Sequence, residues 1–152
     1  MIPSSDHRIP MEIHHPVTDA EITACFATIS ELRPHLNFDE FLPQVRRQEQ
    51  HGYRLVAVRE GGAITSVAGY RITEFLIWGK FLYVDDLVTA ASHRKKGQAA
   101  ALLSWIIAHA RETGCNNVQL DSGFTLHPAH RLYHSMGFHL ACHHFKNDLQ
   151  PS

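Results

Sequence analysis

The sequence predicts one α/β domain: a mixed, mostly antiparallel sheet of six to seven strands flanked by about four helices. Three observations carry that reading. Tyr53, Leu55, Ala57 and Arg59 alternate with Arg54, Val56 and Val58, and strand-like runs follow from Ala63 to Trp78 and from Phe81 to Thr89, separated by turn signals at Glu60-Gly61-Gly62 and Gly79-Lys80. From Gln98 to Thr113 they follow a helical period, with Ala99, Leu102, Leu103, Ile106, Ile107 and Ala110 on one face and Gly114 closing the helix. Directly after it comes a short apolar strand, Val118 to Asp121, so the segment from Phe81 to Asp121 reads as a strand-helix-strand crossover between parallel neighbours.

The remaining elements fit around this centre. Met11 to His15 reads as a first strand. Thr18 or Asp19 caps a helix with Ile22, Phe26, Ile29 and Leu32 on one face, and Pro34 stops it. Phe38 to Gln50 reads as a second amphipathic helix, interrupted early by Pro43. Tyr53 to Arg59 is a strand, and Ala63 to Trp78 is its long β-branched and aromatic hairpin partner. Phe81 to Thr89 is the next strand. Pro128 to Met136 is a last helix closed by Gly137, and Phe138 to Leu149 is expected to hold one or two final strands, split near Ala141.

Composition narrows the function. A chain of 152 residues suggests one domain, large enough to bury a core without disulfide or metal staples. The first ten residues, MIPSSDHRIP, read as a loose tail without the basic start and apolar centre of a secretory signal. No stretch approaches the roughly 20 apolar residues of a membrane span. A formal charge of -1 gives no support to a nucleic-acid or membrane partner. Cys25, Cys115 and Cys142 form no CxxC pair and read as reduced thiols of a cytoplasmic protein. Cys115, with no histidine partner near it in sequence, reads as structural rather than nucleophilic. Thirteen histidines raise the question of a metal, and His127, His130 and His134 would share one helical face. No HExxH or Cys/His spacing accompanies them, so no metal site is expected.

The chemically loaded segment is Leu87 to Leu103, LVTAASHRKKGQAAALL. A strand ends, a short polar loop follows, and a strong helix opens near Gly97. The first turn of a helix presents unpaired N–H groups and the positive end of the helix dipole, which together bind anions. Gly97, Ala99 and Ala100 leave the backbone open to close approach, and Arg94, Lys95 and Lys96 add three positive charges where a diphosphate would arrive.

Arg94-Lys95-Lys96-Gly97-Gln98-Ala99 resembles the Arg/Gln-x-x-Gly-x-Gly/Ala signature of the GCN5-related N-acetyltransferases, with Leu87 and Thr89 at the usual strand-end positions. A second signature of that family, Ala-x-x-x-Tyr followed by Gly-Phe, is matched by Ala129 to Tyr133 with Gly137-Phe138. Leu120 to Gly123 (LDSG) and Cys142 to Phe145 (CHHF) are similar to one subgroup of small bacterial members. The resemblance runs from about Tyr53 to Lys146. It departs at Leu126, where the family often has asparagine; the hydrogen bond lost there falls to His127 or His130, or to nothing.

The resemblance implies a cosubstrate, acetyl-CoA, and an amine acceptor that attacks the thioester directly. It implies that Phe81–Thr89 splays from Val118–Asp121, that pantetheine bonds main-chain groups of Leu87, Val88 and Thr89 like an added strand, and that the loop of Arg94, Lys95, Lys96, Gly97, Gln98, Ala99 and Ala100 takes the pyrophosphate. A backbone N–H near Leu87 or Val88 would meet the developing oxyanion. Tyr133 is the expected general acid, protonating the leaving thiolate. For the base, Asp86 is favoured over Asp85, Glu74 and water; as strand neighbours, Asp85 and Asp86 are expected to face opposite sides. Homodimers are frequent in the family, and a dimer through edge strands such as the C-terminal one stays open. So does a silent domain that binds acetyl-CoA only as a ligand. The helices between Asp19 and Gln50 would shape the acceptor side, and their mixed charge selects no particular amine.

Overall fold

The computed structural model describes residues 11–151, so the expected tail at residues 1–10 lies outside the described residues. Those residues form two compact units, one ending at Leu120 and one beginning at Asp121. The first unit holds a sheet in simple chain order. Its strands are β1 (Met11–His14), β2 (Arg54–Glu60), β3 (Ala63–Phe75), β4 (Gly79–Thr89) and β5 (Asn117–Leu120). The first four are antiparallel neighbours and β5 lies parallel to β4.

Alternation along the strands splits the core into two layers. Leu55, Ala57, Val67 and Val88 face one side with Ile22, Cys25, Ile29, Phe41 and Val45 from α1 (Asp19–Thr23), α2 (Phe26–Leu32) and α3 (Phe38–Glu49). Val56, Val58, Ala68, Tyr70, Leu82 and Val84 face the other, under Leu102, Ile106 and Ala110 of α4 (Gln98–Glu112). Fully burying one such aliphatic side chain contributes roughly 1.5–3 kcal/mol, so both layers are needed to order a sheet of this size.

Two helical expectations change. The helix expected from Asp19 to Pro34 keeps its start, where Thr18 and Glu21 form a capping box, but it breaks into α1 and α2. At the break Cys25 N–H donates to Ile22 three residues back, at 3.0 Å, rather than four. Pro43 does not interrupt α3, which runs through it. Proline deletes the bond to the carbonyl four residues before, here that of exposed Asp39, and water can replace it.

The second unit contains α5 (His127–Ser135), with Pro128 in its first turn. Gly137 follows at φ +90°, and Phe138 N–H donates to Tyr133 O at 3.0 Å. The expected sixth and seventh strands are absent: 138–150 is irregular among the described residues, and the sheet has five strands. Leu140, Phe145 and Leu149 are exposed there, and His139, His143, His144, Lys146, Asn147 and Asp148 dilute the apolar alternation that would pin a strand to a core.

All three cysteines are free. Cys25 is buried beside Ile22 and Ile29, and burial, with Glu21 adding to it, pushes its thiol up to about 12. Iodoacetamide at mildly alkaline pH is therefore expected to label exposed Cys142 readily and Cys25 only after denaturation. Peptide mass spectrometry of native and unfolded samples checks this. Native labelling of Cys25 would mean that α1 and α2 open.

Candidate active site

The segment leading to α4 begins where β4 loses its parallel neighbour. Pairing with β5 covers only Phe81 to Val84, and β4 continues to Thr89 with no strand on that side among the described residues. Leu87, Val88 and Thr89 lie on this unpaired extension. Ala90 N–H donates to Thr65 O at 2.8 Å, and the Ser66 hydroxyl donates to Val88 O at 2.9 Å, so β3 holds the strand end in place.

A single 3-10 turn at Ala91–His93 then leads to Arg94, Lys95, Lys96 and Gly97, all exposed. Lys95 and Gly97 both take left-handed backbone, φ +64° and +77°. Gly97 is the N-cap of α4 and gives the helix no side-chain cap, so the N–H groups of Gln98, Ala99 and Ala100 open the helix unshielded. The sequence placed all these residues correctly around one helix start.

Gln98 plays a part the sequence did not suggest. Its side chain is buried, donates to Glu60 Oε2 at 2.7 Å and accepts from the Thr65 hydroxyl at 2.8 Å. It anchors α4 to the β2–β3 hairpin, so only its backbone N–H is left for a ligand. Lys96 Nζ lies 3.8 Å from Glu60 Oε1, which moderates one of the loop's three cationic charges.

On the α1–α3 face of β4, the structure opens a cleft of about 370 Å³. Ile29, Leu36, Phe41 and Val45 form its apolar wall; Arg33, His35, Tyr83, Asp85 and Asp86 supply much of its polar surface. Both aspartates face this cleft, against the expectation that strand neighbours point apart. The cause is a β-bulge: Gly69 pairs with Asp86 and Tyr70 with Val84, leaving Asp85 as an extra residue. The bulge inverts the alternation, so Leu82 and Val84 before it face α4, while Asp86 and Val88 after it face α1–α3.

The two carboxylates are tightly bound. Asp86 Oδ2 accepts from the Tyr53 hydroxyl at 2.7 Å, and its Oδ1 accepts from Arg33 Nε at 3.0 Å. Asp85 accepts from Arg71 Nε at 3.1 Å, and Arg33 also donates to the Asp85 carbonyl at 3.1 Å. Burial pushes the Asp85 carboxyl above the ordinary carboxylate range, against the lowering pull of Arg71. Burial first, then the charge of Asp86, raises the Tyr53 phenol well above its usual value and keeps it a donor. Gly69 makes this possible, since a Cβ there would lie 1.8 Å from the Tyr53 hydroxyl oxygen.

Glu74, the third candidate base, is exposed and two residues beyond Ile72, whose side chain packs into the α4 layer; it is therefore on the face opposite the cleft. Tyr133 is carried on α5 in the second unit, 5.9 Å edge-on from Phe138, with its phenol raised by burial and so protonated at neutral pH. There too, Leu126 is the N-cap of α5 without a side-chain bond, and His130 Nε2 is 3.1 Å from Ser122 Oγ. Tyr53, Arg33, Arg71 and Gly69 carried no motif by which sequence could single them out; the network joins residues up to 53 positions apart. No three metal-ligating side chains converge among the described residues, and no described helix is long and apolar enough to cross a membrane.

β4 thus outruns its fully paired parallel neighbour β5 and leads into a glycine-opened helix, with a carboxylate-bearing cleft on the same strand. Residues 18–138 match the family model described as acetyltransferase (GNAT) family, and the chain belongs to that family of acyltransferases. It is 32% identical over 123 residues to the uncharacterized N-acetyltransferase YhdJ of Bacillus subtilis (strain 168), spanning 80% of this chain and 87% of that protein. Its fold is shared with an acetyltransferase of Trypanosoma brucei, at TM-score 0.76 and 22% identity over 92% of this chain and 100% of the other. It is shared also with AAC(6')-Iy, solved in complex with the bisubstrate analogue CoA-S-monomethyl-acetylneamine, at TM-score 0.80 and 14% identity over 93% and 99% of the two chains.

Proposed function

We propose that this protein transfers the acetyl group of acetyl-CoA to a primary amine of a small molecule or peptide, by direct attack in a ternary complex. The observation that carries the reading is the continuous path from the unpaired end of β4 to the bare N-terminus of α4, with the carboxylate cleft opening on the same strand. The N–H groups of Gln98, Ala99 and Ala100, with Arg94, Lys95 and Lys96, hold the diphosphate. Leu87, Val88 and Thr89 offer their main chain to the pantetheine arm, and a backbone N–H at Leu87 or Val88 faces the developing oxyanion.

As the amine nitrogen bonds to the thioester carbon, the carbon–sulfur bond breaks and Tyr133 gives its proton to the departing thiolate. The proton lost by the amine passes to Asp86, with Asp85 and water as the alternatives. Titration calorimetry with acetyl-CoA, followed by thiol release with an amine panel, tests the reading. Micromolar binding and amine-dependent release support it; no binding defeats it. Tyr133→Phe is expected to leave acetyl-CoA affinity within about threefold and to lower kcat by about 100-fold, the usual worth of a general acid. An unchanged kcat would remove Tyr133 from the chemistry.

A further inference from the structure

The charges around the acceptor cleft favour one kind of amine. Asp85 and Asp86 face two guanidiniums, Arg33 and Arg71, so the cleft has no net negative charge from this group. A polycation entering it meets as much repulsion as attraction. The two ion pairs are not alike in exposure. The side chains of Arg71 and Asp85 are 26% and 19% exposed, whereas Arg33 is 41% exposed against 16% for Asp86. Arg33 is thus the arm nearest solvent, at the C-cap of α2, and it rests on the carboxylate that an incoming ammonium would need.

An amine that displaced Arg33 from Asp86 would leave a guanidinium without its carboxylate. A ligand that brings its own carboxylate removes that cost: its ammonium takes the place of Arg33 at Asp86, and its carboxylate takes the place of Asp86 at Arg33. Charge in the cleft is then unchanged, and each guanidinium keeps a partner. Ile29, Leu36, Phe41 and Val45 remain as an apolar wall for whatever side group the ligand carries. A volume of about 370 Å³ lies at the small end of ligand pockets.

Resting on the acetyl-transfer reading above, we infer that the acceptor is an amino-acid-like zwitterion with an apolar side group, selected by Arg33 through its carboxylate. The probes are L-phenylalanine, L-phenylalaninamide, phenethylamine and spermidine, followed by thiol release and by mass spectrometry of the N-acetyl product. Phenylalanine is expected to exceed the amide and phenethylamine in kcat/KM by about 30-fold or more, and spermidine to be poorest, as a site built to pair a charge rejects analogues lacking it. Arg33→Gln is expected to bring phenylalanine and phenethylamine within about threefold, mainly by raising KM for phenylalanine, and Arg33→Lys to restore part of the preference.

Equal or better use of phenethylamine or spermidine by the wild-type protein overturns the inference. So does a protein that binds acetyl-CoA and acetylates none of the four probes. A protein that binds no acetyl-CoA instead defeats the transferase reading itself, which the calorimetry detects before any amine is added.

Discussion

Gly69→Ala is expected to be the most destabilising single-methyl change in this protein, costing about 2–6 kcal/mol. A Cβ at position 69 would lie 1.8, 2.4 and 2.5 Å from the Oη, Cζ and Cε2 atoms of Tyr53. Tyr53 is 3% exposed, so its ring cannot move aside without leaving the core. Overpacking a tight interior costs about 1–3 kcal/mol. Pushing the ring away also breaks its 2.7 Å bond to Asp86, and a buried acceptor deprived of its donor costs about 1–3 kcal/mol more. At roughly 2–4 °C per kcal/mol for a domain of this size, that total lowers Tm by about 4 °C or more. Thermal and urea denaturation of the variant checks it. The double variant with Tyr53→Ala supplies the control. With the ring gone the methyl has space, so the cost of Gly69→Ala should shrink by about 1.5 kcal/mol or more. A Gly69→Ala protein that melts within about 2 °C of wild type would show that the close packing of Tyr53 on β3 is wrong.

That prediction depends on a feature invisible to strand periodicity. Apolar, β-branched and aromatic runs between turn signals located β2, β3 and β4, because a strand covered on both faces reads as a nearly continuous apolar run. The expected facing of Asp85 and Asp86 assumed further that β4 is regular. The bulge at Asp85 breaks the assumption, and with it the expectation that the two aspartates diverge. A bulge is settled by pairing between strands, here by Gly69 opposite Asp86, and single-strand pattern carries no record of its partner's register. The C-terminal strands failed for another reason. The segment 138–150 has aromatic and apolar residues enough to suggest strands, but strand formation needs a ladder, and propensity alone does not supply one.

The site was legible in the same uneven way. The helix start proposed to take the diphosphate could be located because its features are local: a strand end, a glycine with left-handed backbone and a helix start lie within about ten residues. The carboxylate cleft could not, because Arg33 at the end of α2, Tyr53 just before β2, Arg71 of β3 and Asp85 and Asp86 of β4 are joined only by folding. Gln98 lies between these cases. Its position in the motif was plain, whereas the burial of its side chain against Glu60 and Thr65 depends on residues 38 and 33 positions away.

Gly97→Glu is expected to weaken acetyl-CoA binding by about 100-fold or more while leaving the fold largely intact. The two effects separate because of where Gly97 sits. Nothing lies within 4 Å of a Cβ built there, so a side chain meets no steric barrier from the protein. The cost to folding comes from φ +77° alone, about 1–2 kcal/mol for a residue other than glycine. The cost to binding is larger. A carboxylate at the N-cap of α4 would occupy the dipole's positive end and compete for the N–H groups that the diphosphate needs. Losing two charge-assisted hydrogen bonds at about 1.5–3 kcal/mol each accounts for a 100-fold change or more. Gly97→Ala is the matched control: it carries the same backbone penalty without the charge, and its acetyl-CoA affinity should fall by less than about tenfold. Titration calorimetry gives the affinities, and thermal denaturation of the ligand-free variants shows whether each is folded. If wild type binds acetyl-CoA and Gly97→Glu binds it equally well, the diphosphate does not rest on this helix start, and the loop from Arg94 to Ala100 loses its assignment.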